Sequence, residues 1–182
     1  MAEIETARLR LRHWRTSDAE PYARLSADPE VVRYISPGAP LTRAQARRAI
    51  EALERHWRQK GFGHWAAEDK ETGTLAGRVG LLHHPDWPEE REAVEVGWIV
   101  DSAFRGRGLA TEGALASLRF GFERAGLDHI ISIAEPDNVS SLRVMEKIGL
   151  AFEGETEWRG RRMVWYGVDR STWRSGREAE GQ

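Results

Sequence analysis

Between Arg105 and Thr111 the chain reads Arg-Gly-Arg-Gly-Leu-Ala-Thr, a mixture suited to holding an anion. Glycine backbone folds close around phosphate oxygens and presents successive N–H groups to them. From Gly108 the residues open an amphipathic helix, whose N-terminus adds about half a unit of positive charge. Arg105 and Arg107 supply full charges and forked donors. Arg105, Gly106, Arg107, Gly108, Leu109, Ala110 and Thr111 together make a candidate diphosphate site. The plainer alternative is a solvated turn; the order strand, loop, helix favours the anion site.

A diphosphate belongs to more than one cofactor. Gly106-Arg107-Gly108 also invites a dinucleotide reading, with Glu135 at the end of a later strand as the ribose partner. Several residues separate the preceding strand from these glycines, however, and Thr111 stands at the third glycine position. The unit also follows a run of strands, not a doubly wound repeat. The dinucleotide oxidoreductase therefore ranks behind.

The elements that must position this loop can be read from periodicity. Arg8–Arg12 alternates charged and apolar residues as a half-exposed strand does. Ser17 and Glu20 stand in capping-box spacing and predict a helix start; Asp28-Pro29 starts another short helix, and Ser36–Pro40 is a loop. Thr42 and Gln45 form a second capping box, opening a helix with Ala46, Ile50, Leu53 and Trp57 on one face and Gly61 at its end. Strands are expected at 63–69, 75–83 and 93–100, the first two joined tightly enough to imply an antiparallel meander. A helix over 108–125, a strand over 129–135, a helix over 138–148 and a hairpin of strands 152–158 and 162–168 complete the chain. Residues 1–174 are expected to form one α/β (α+β) domain, and 175–182 a frayed tail.

Composition narrows the classes. The 182 residues carry 27 Lys and Arg against 29 Asp and Glu, a net charge of -2 that argues against a nucleic-acid coat or a polybasic membrane binder. With no cysteine there is no disulfide scaffold, thiolate zinc site or cysteine nucleophile, which fits a cytoplasmic protein. No stretch approaches the roughly 18 apolar residues of a membrane span. The six His show no metal-ligand spacing, so no metal is expected; His83, His84 and His129 are set aside for the same lack of pattern. Trp14, Trp57, Trp65 and Trp98, among eight tryptophans, are candidates for core or cleft. The hairpin and the tryptophans leave a homodimer open.

Arg105-x-x-Gly108-x-Ala110 resembles the coenzyme A pyrophosphate loop of the GNAT acetyltransferases. Asn138-Val139-Ser140-Ser141 followed by Glu146-Lys147-Ile148-Gly149-Leu150 resembles the second signature of the branch that acetylates ribosomal-protein N-termini. Thr6-x-Arg8-Leu9-x-Leu11-Arg12, Asp28-Pro29-Glu30-Val31 and Gly61-Phe62-Gly63-x-Trp65 are similar to that branch too, so the likeness spans Thr6 to Trp173. It implies a mixed, mostly antiparallel seven-stranded sheet whose fourth and fifth strands are parallel and splay apart. It also implies acetyl-CoA as cosubstrate, with pantetheine pairing like an added strand in the splay. Asn138 would contact a pantetheine amide or simply cap its helix.

Acetyl transfer needs a neutral amine, a polarised thioester carbonyl and a leaving thiolate. Backbone N–H groups near Ile99 and Val100 are candidates for the oxyanion. Strand alternation puts Glu95 on the face opposite Val94, Val96 and Trp98, as a candidate base or a mere surface carboxylate, with Glu92 its competitor. The family's frequent general acid, a tyrosine, is Met145 here, which donates no proton. Ser141 is the available hydroxyl, and the branch resembled uses a serine there. An α-amine, with a reference pKa of about 7.7–8.0, is far more often neutral at pH 7 than a lysine amine near 10.4. This suits an α-amine or another low-pKa amine; the resemblance makes a protein or peptide N-terminus the expected acceptor, with a small-molecule amine, or acyl-CoA binding without catalysis, as the alternatives. The acidic run of Asp86, Glu89, Glu90, Glu92 and Glu95 would attract a cation or be solvated.

Overall fold

The alternating stretches pair into one eight-stranded sheet. A computed structural model describes residues 2–35, 40–89 and 93–173. Its strands are β1 Ile4–Glu5, β2 Leu9–Arg12, β3 His64–Asp69, β4 Leu75–His84, β5 Ala93–Val100, β6 His129–Ala134, β7 Ala151–Trp158 and β8 Arg161–Asp169. They lie in the order β1-β2-β3-β4-β5-β6-β8-β7. Only β5 and β6 run parallel among neighbours; every other pair is antiparallel. The sequence led to seven strands. The eighth, β1, has two residues and so no periodicity to read; it folds back on β2 because the Thr6 N–H and hydroxyl both bond to the Leu9 carbonyl.

Among the described residues five α-helices flank the sheet: α1 Ala19–Leu25, α2 Pro29–Ile35, α3 Arg43–Lys60, α4 Leu109–Glu123 and α5 Val139–Lys147. Helix α3 is held by the expected box, in which Thr42 Oγ1 accepts from the Gln45 N–H at 3.2 Å and Gln45 Oε1 from the Thr42 N–H at 2.8 Å. Such a cap contributes about 1 kcal/mol. Gly61 ends the helix in the left-handed conformation, φ 77°, where a side chain would be strained. The Ser17 cap does not form. Thr16–Asp18 is a single 3-10 turn without a side-chain cap from Ser17. Buried Asp18 organises it instead, taking the Arg15 N–H and both terminal nitrogens of buried Arg12 at 2.8–2.9 Å.

Helix α4 packs on one face of the sheet, where Leu118 and Phe122 meet Val79, Leu81, Val96 and Ile130. Burying each such side chain contributes about 1.5–3 kcal/mol. The helix lies close because Gly113 has no Cβ: one there would stand 2.8 Å from Val79 Cγ1. On the other face α1, α2 and α3 bring Tyr22, Leu25, Val31, Ile50 and Leu53 against Ala66 and Ile99. Covered on both sides, β3 is buried at all six positions. Among the described residues no helix is long and apolar enough to cross a membrane. The expected loop at 36–39, Glu90, Glu92 and the expected tail lie outside the described residues.

Candidate active site

The parallel pair opens almost as soon as it forms, with one register pair, Glu95↔Ile131, joining β5 to β6. On its other side β5 is laddered to β4 without a shift from Gly77↔Val100 to His84↔Ala93. Asp101 N–H donates to the Ala76 carbonyl at 2.9 Å. Main-chain bonds alternate in direction along a strand, so the Ile99 amide, two residues back, also faces β4. The amides of Trp98 and Val100 face the gap. Of the two amides proposed for an oxyanion, then, Val100's reaches the opening with Trp98 beside it. Ile99 lends its side chain.

A cleft of about 590 Å³ runs from this gap along the 105–111 loop. Gly106 and Gly108 have φ of 74° and 73°, left-handed conformations that turn the loop into α4. Gly108 is the N-cap of α4 and no side chain caps that helix, so its first N–H groups remain available to an anion. Arg105, Gly106, Gly108, Leu109, Ala110 and Thr111 line the cleft. The Arg105 guanidinium stands 3.9 Å from Asp28. Arg107 does not line it: its guanidinium lies 3.1 Å from Asp69 and 3.4 Å from Glu71 and stacks on Phe104. The loop is braced from behind, since Arg8 bonds to the Arg107 carbonyl and to Glu112, the latter at 2.7 Å.

The opposite wall is α5. Asn138 caps it, Oδ1 accepting from the Ser141 N–H at 3.3 Å and the Ser140 hydroxyl at 2.9 Å. The cap leaves the Asn138 amide nitrogen uncommitted among the described residues, so capping and cofactor contact do not compete. Ser141 lies half-buried in the wall, and its hydroxyl bonds to nothing among the described residues, unlike Ser117, whose hydroxyl donates to the carbonyl four residues back at 2.8 Å. Met145, 1% exposed, belongs to the core. Helix α2 closes the top, its Tyr34 hydroxyl donating to the Asp137 carbonyl and its Arg33 and Tyr34 carbonyls accepting from Arg161.

A second cavity, about 260 Å³, adjoins the first and shares Tyr34, Trp98, Ile99, Asn138 and Ser141 with it. Glu95 lines it and accepts from His84 Nε2 at 2.6 Å. His84 had no spacing to mark it, because register and not sequence distance brings it to Glu95. His129, also set aside, pairs with Glu153 at 2.8 Å and lines neither cavity. Two further residues were missed. His64 is buried, its Nδ1 accepting from Arg78 Nη1 at 3.0 Å. Burial above all, then the charge of Arg78, pushes its pKa well below the ordinary value. The ring is therefore neutral at pH 7 with its proton on Nε2. Of the acidic run, Asp86 takes both Nε and Nη2 of Arg159, at 2.8 and 2.9 Å, and Glu95 pairs with His84. Of the tryptophans singled out, Trp14, Trp57 and Trp65 are core and Trp98 is cleft. Trp158 lines the second cavity. Among the described residues no cluster of three or more His, Cys, Asp or Glu is arranged for a metal.

A mixed sheet parted at one parallel pair, with an uncapped helix N-terminus and glycine loop at the parting, is the arrangement of the GNAT acyltransferases. The chain belongs to that family: the acetyltransferase (GNAT) domain model matches residues 8–151. YkkB of Bacillus subtilis is 32% identical over 151 residues, covering 82% of this chain and 86% of its own. The FsC-acetyl coenzyme A-N(2)-transacetylase of Aspergillus fumigatus is 31% identical over 158 residues, 81% of this chain and 64% of that protein. Ribosomal-protein-S5-alanine acetyltransferase from Vibrio fischeri superposes with a TM-score of 0.77 at 18% identity, covering 95% of this chain and 99% of that one, and so shares the fold. The protein is a GNAT-type N-acetyltransferase, and the family's cosubstrate is an acyl-CoA.

Proposed function

We propose that the chain moves the acetyl group of acetyl-CoA to a protein or peptide N-terminal α-amine, by direct attack with both substrates bound. The observation that carries this is the meeting of the two cavities, where Trp98 and Ser141 line both, Val100 lines the larger and Glu95 the smaller. The loop Arg105–Thr111 and the open N-terminus of α4 suit the diphosphate, with Arg105 the charged member and Arg107 a brace. The bound thioester supplies an electrophilic carbonyl and a thiolate leaving group. Glu95, held by His84, takes the proton the amine loses as the C–N bond forms and the C–S bond breaks. Trp98 and Val100 N–H groups meet the developing oxyanion. Ser141 hydrogen-bonds the departing sulfur, which leaves as the thiol once the proton is returned. The Vibrio fischeri neighbour is named for acetylating a ribosomal-protein alanine, which supports the choice of acceptor, as does the low pKa of an α-amine.

Thermal unfolding with acetyl-CoA, coenzyme A and NADPH in parallel tests the cosubstrate. A ligand at a hundredfold excess over its Kd stabilises by about 2.7 kcal/mol, and the shift is expected with the coenzyme A forms alone. Thiol release is then followed with peptides carrying a free α-amine and with N-acetylated peptides carrying only a lysine amine. Turnover on the first set is expected; a shift with NADPH alone, or turnover on lysine alone, overturns the reading.

A further inference from the structure

The second cavity holds a cation without a counter-charge. Of the three arginines lining it, Arg159 is paired with Asp86 and Arg161 with Glu135. Arg78 meets no carboxylate among the described residues: Nη1 donates to His64, and Nε is buried with no partner. A neutral imidazole does not offset a guanidinium charge, and a half-buried charge left unpaired is costly. With Nη1 engaged by His64, the edge left over is Nε with Nη2, the fork on which a carboxylate makes two parallel bonds.

The floor beside this fork is lined by small residues. His64, Gly80 and Gly97 face one another across β3, β4 and β5 in the registers His64↔Gly80 and Gly80↔Gly97. The missing side chain at Gly97 leaves His64 and Glu95 facing the same point, while Gly80 lets β3 approach, since a Cβ there would stand 2.6 Å from the His64 Cα. A Cβ on Gly97 would stand 3.3 Å from His64 Nε2 and 3.6 Å from Glu95 Oε1. His64 Nε2 is itself buried and unpartnered. A carboxylate receptor and a proton acceptor therefore share one small space, below the roughly 300–1,000 Å³ of drug-sized sites and suited to an amino-acid-sized group.

We propose that the acceptor is an amine bearing a carboxylate within one residue of it, that Arg78 binds this carboxylate, and that Glu95 faces the amine. This rests on the acetyltransferase reading above and names its substrate class: a free amino acid, or a peptide whose first residue is acidic. The test is steady-state acetylation by the full chain of matched pairs that differ only in charge: Asp-Ala-Ala-amide against Asn-Ala-Ala-amide, and L-glutamate against L-glutamine amide. The acidic member of at least one pair is expected to have a kcat/KM about tenfold or more higher, the order of a charged hydrogen bond; the pair in which it appears identifies peptide or amino acid. In R78Q the ratio falls to within about twofold of one. R78K, which keeps the charge and loses the fork, lowers it in part and covers the case in which R78Q does not fold. Equal use of both members by the wild type, or a ratio unchanged in R78Q or R78K, overturns this inference alone. Stabilisation by acetyl-CoA without transfer to any amine, neutral or acidic, overturns the acetyltransferase reading and this one with it.

Discussion

The larger cleft is lined largely by one stretch of chain, from Trp98 to Thr111; the smaller is lined by side chains on six strands. In the first, left-handed glycines, an uncapped helix and two unladdered amides do the work. In the second, His64 comes from β3, Arg78 and His84 from β4, Glu95 from β5, Ser132 from β6, Trp158 from β7 and Arg161 from β8. A site shaped by backbone keeps its geometry through most substitutions. A side-chain site changes whenever one strand residue changes, which is how one fold serves many acceptors.

The largest test of this division is Glu95→Gln. If the smaller cavity holds the base, kcat falls by about 10²–10³ and the rise of rate with pH is lost, while stabilisation by acetyl-CoA stays as in the wild type. Weakened acetyl-CoA binding in that variant would show that the two halves are not separate. Arg105→Glu is the mirror experiment: reversing the charge should weaken acetyl-CoA affinity by about 10–100-fold, read by calorimetry, with the unfolding temperature of the free protein little changed. Unchanged affinity would mean that Arg105 pairs within the protein, as with Asp28, and not with the cosubstrate. Ser141 belongs to both cavities, so Ser141→Ala should lower kcat by about tenfold with neither acetyl-CoA affinity nor acceptor KM following. Wild-type turnover would return it to the helix as an ordinary serine.

The same division explains what could be read from the chain. Helix α4, its preceding loop and the Asn138 cap are local patterns, so their glycines and capping oxygen were found where they stand. The Thr42 box and the Gly61 stop were equally local. Ser17 had the right spacing for a cap and lost to Asp18, because a buried guanidinium from β2 competes for the turn. Glu95 was legible through alternation. Its partner His84 was not, nor were His64 and Arg78: their neighbours are set by register across the sheet, and no one-dimensional spacing encodes that. The fold was more legible than the acceptor site for this reason.

The smallest expected effect separates the halves by stability alone. His64 on the smaller cavity's floor is held neutral, its folded pKa well below the unfolded value of about 6.5. Above that value neither state is protonated and stability is full. As the pH falls through it the unfolded chain binds a proton that the folded chain refuses, so stability declines by up to about 1.4 kcal/mol per pH unit for this one group. His56, also lowered by burial, acts in the same sense. The carboxylates around the structure act elsewhere on the scale. Glu112 behind the 105–111 loop is held below its usual range because its bonds to Thr6 and Arg8 outweigh burial, and its contribution is lost only as the pH falls below about 4.5. Urea unfolding of His64→Gln between pH 7.5 and 5 should therefore show a shallower fall than the wild type, by about one proton's slope, whereas Glu112→Gln leaves that window as it was. An identical slope in His64→Gln would mean that the imidazole takes its proton in the folded state, and that Arg78 has turned away from it toward solvent.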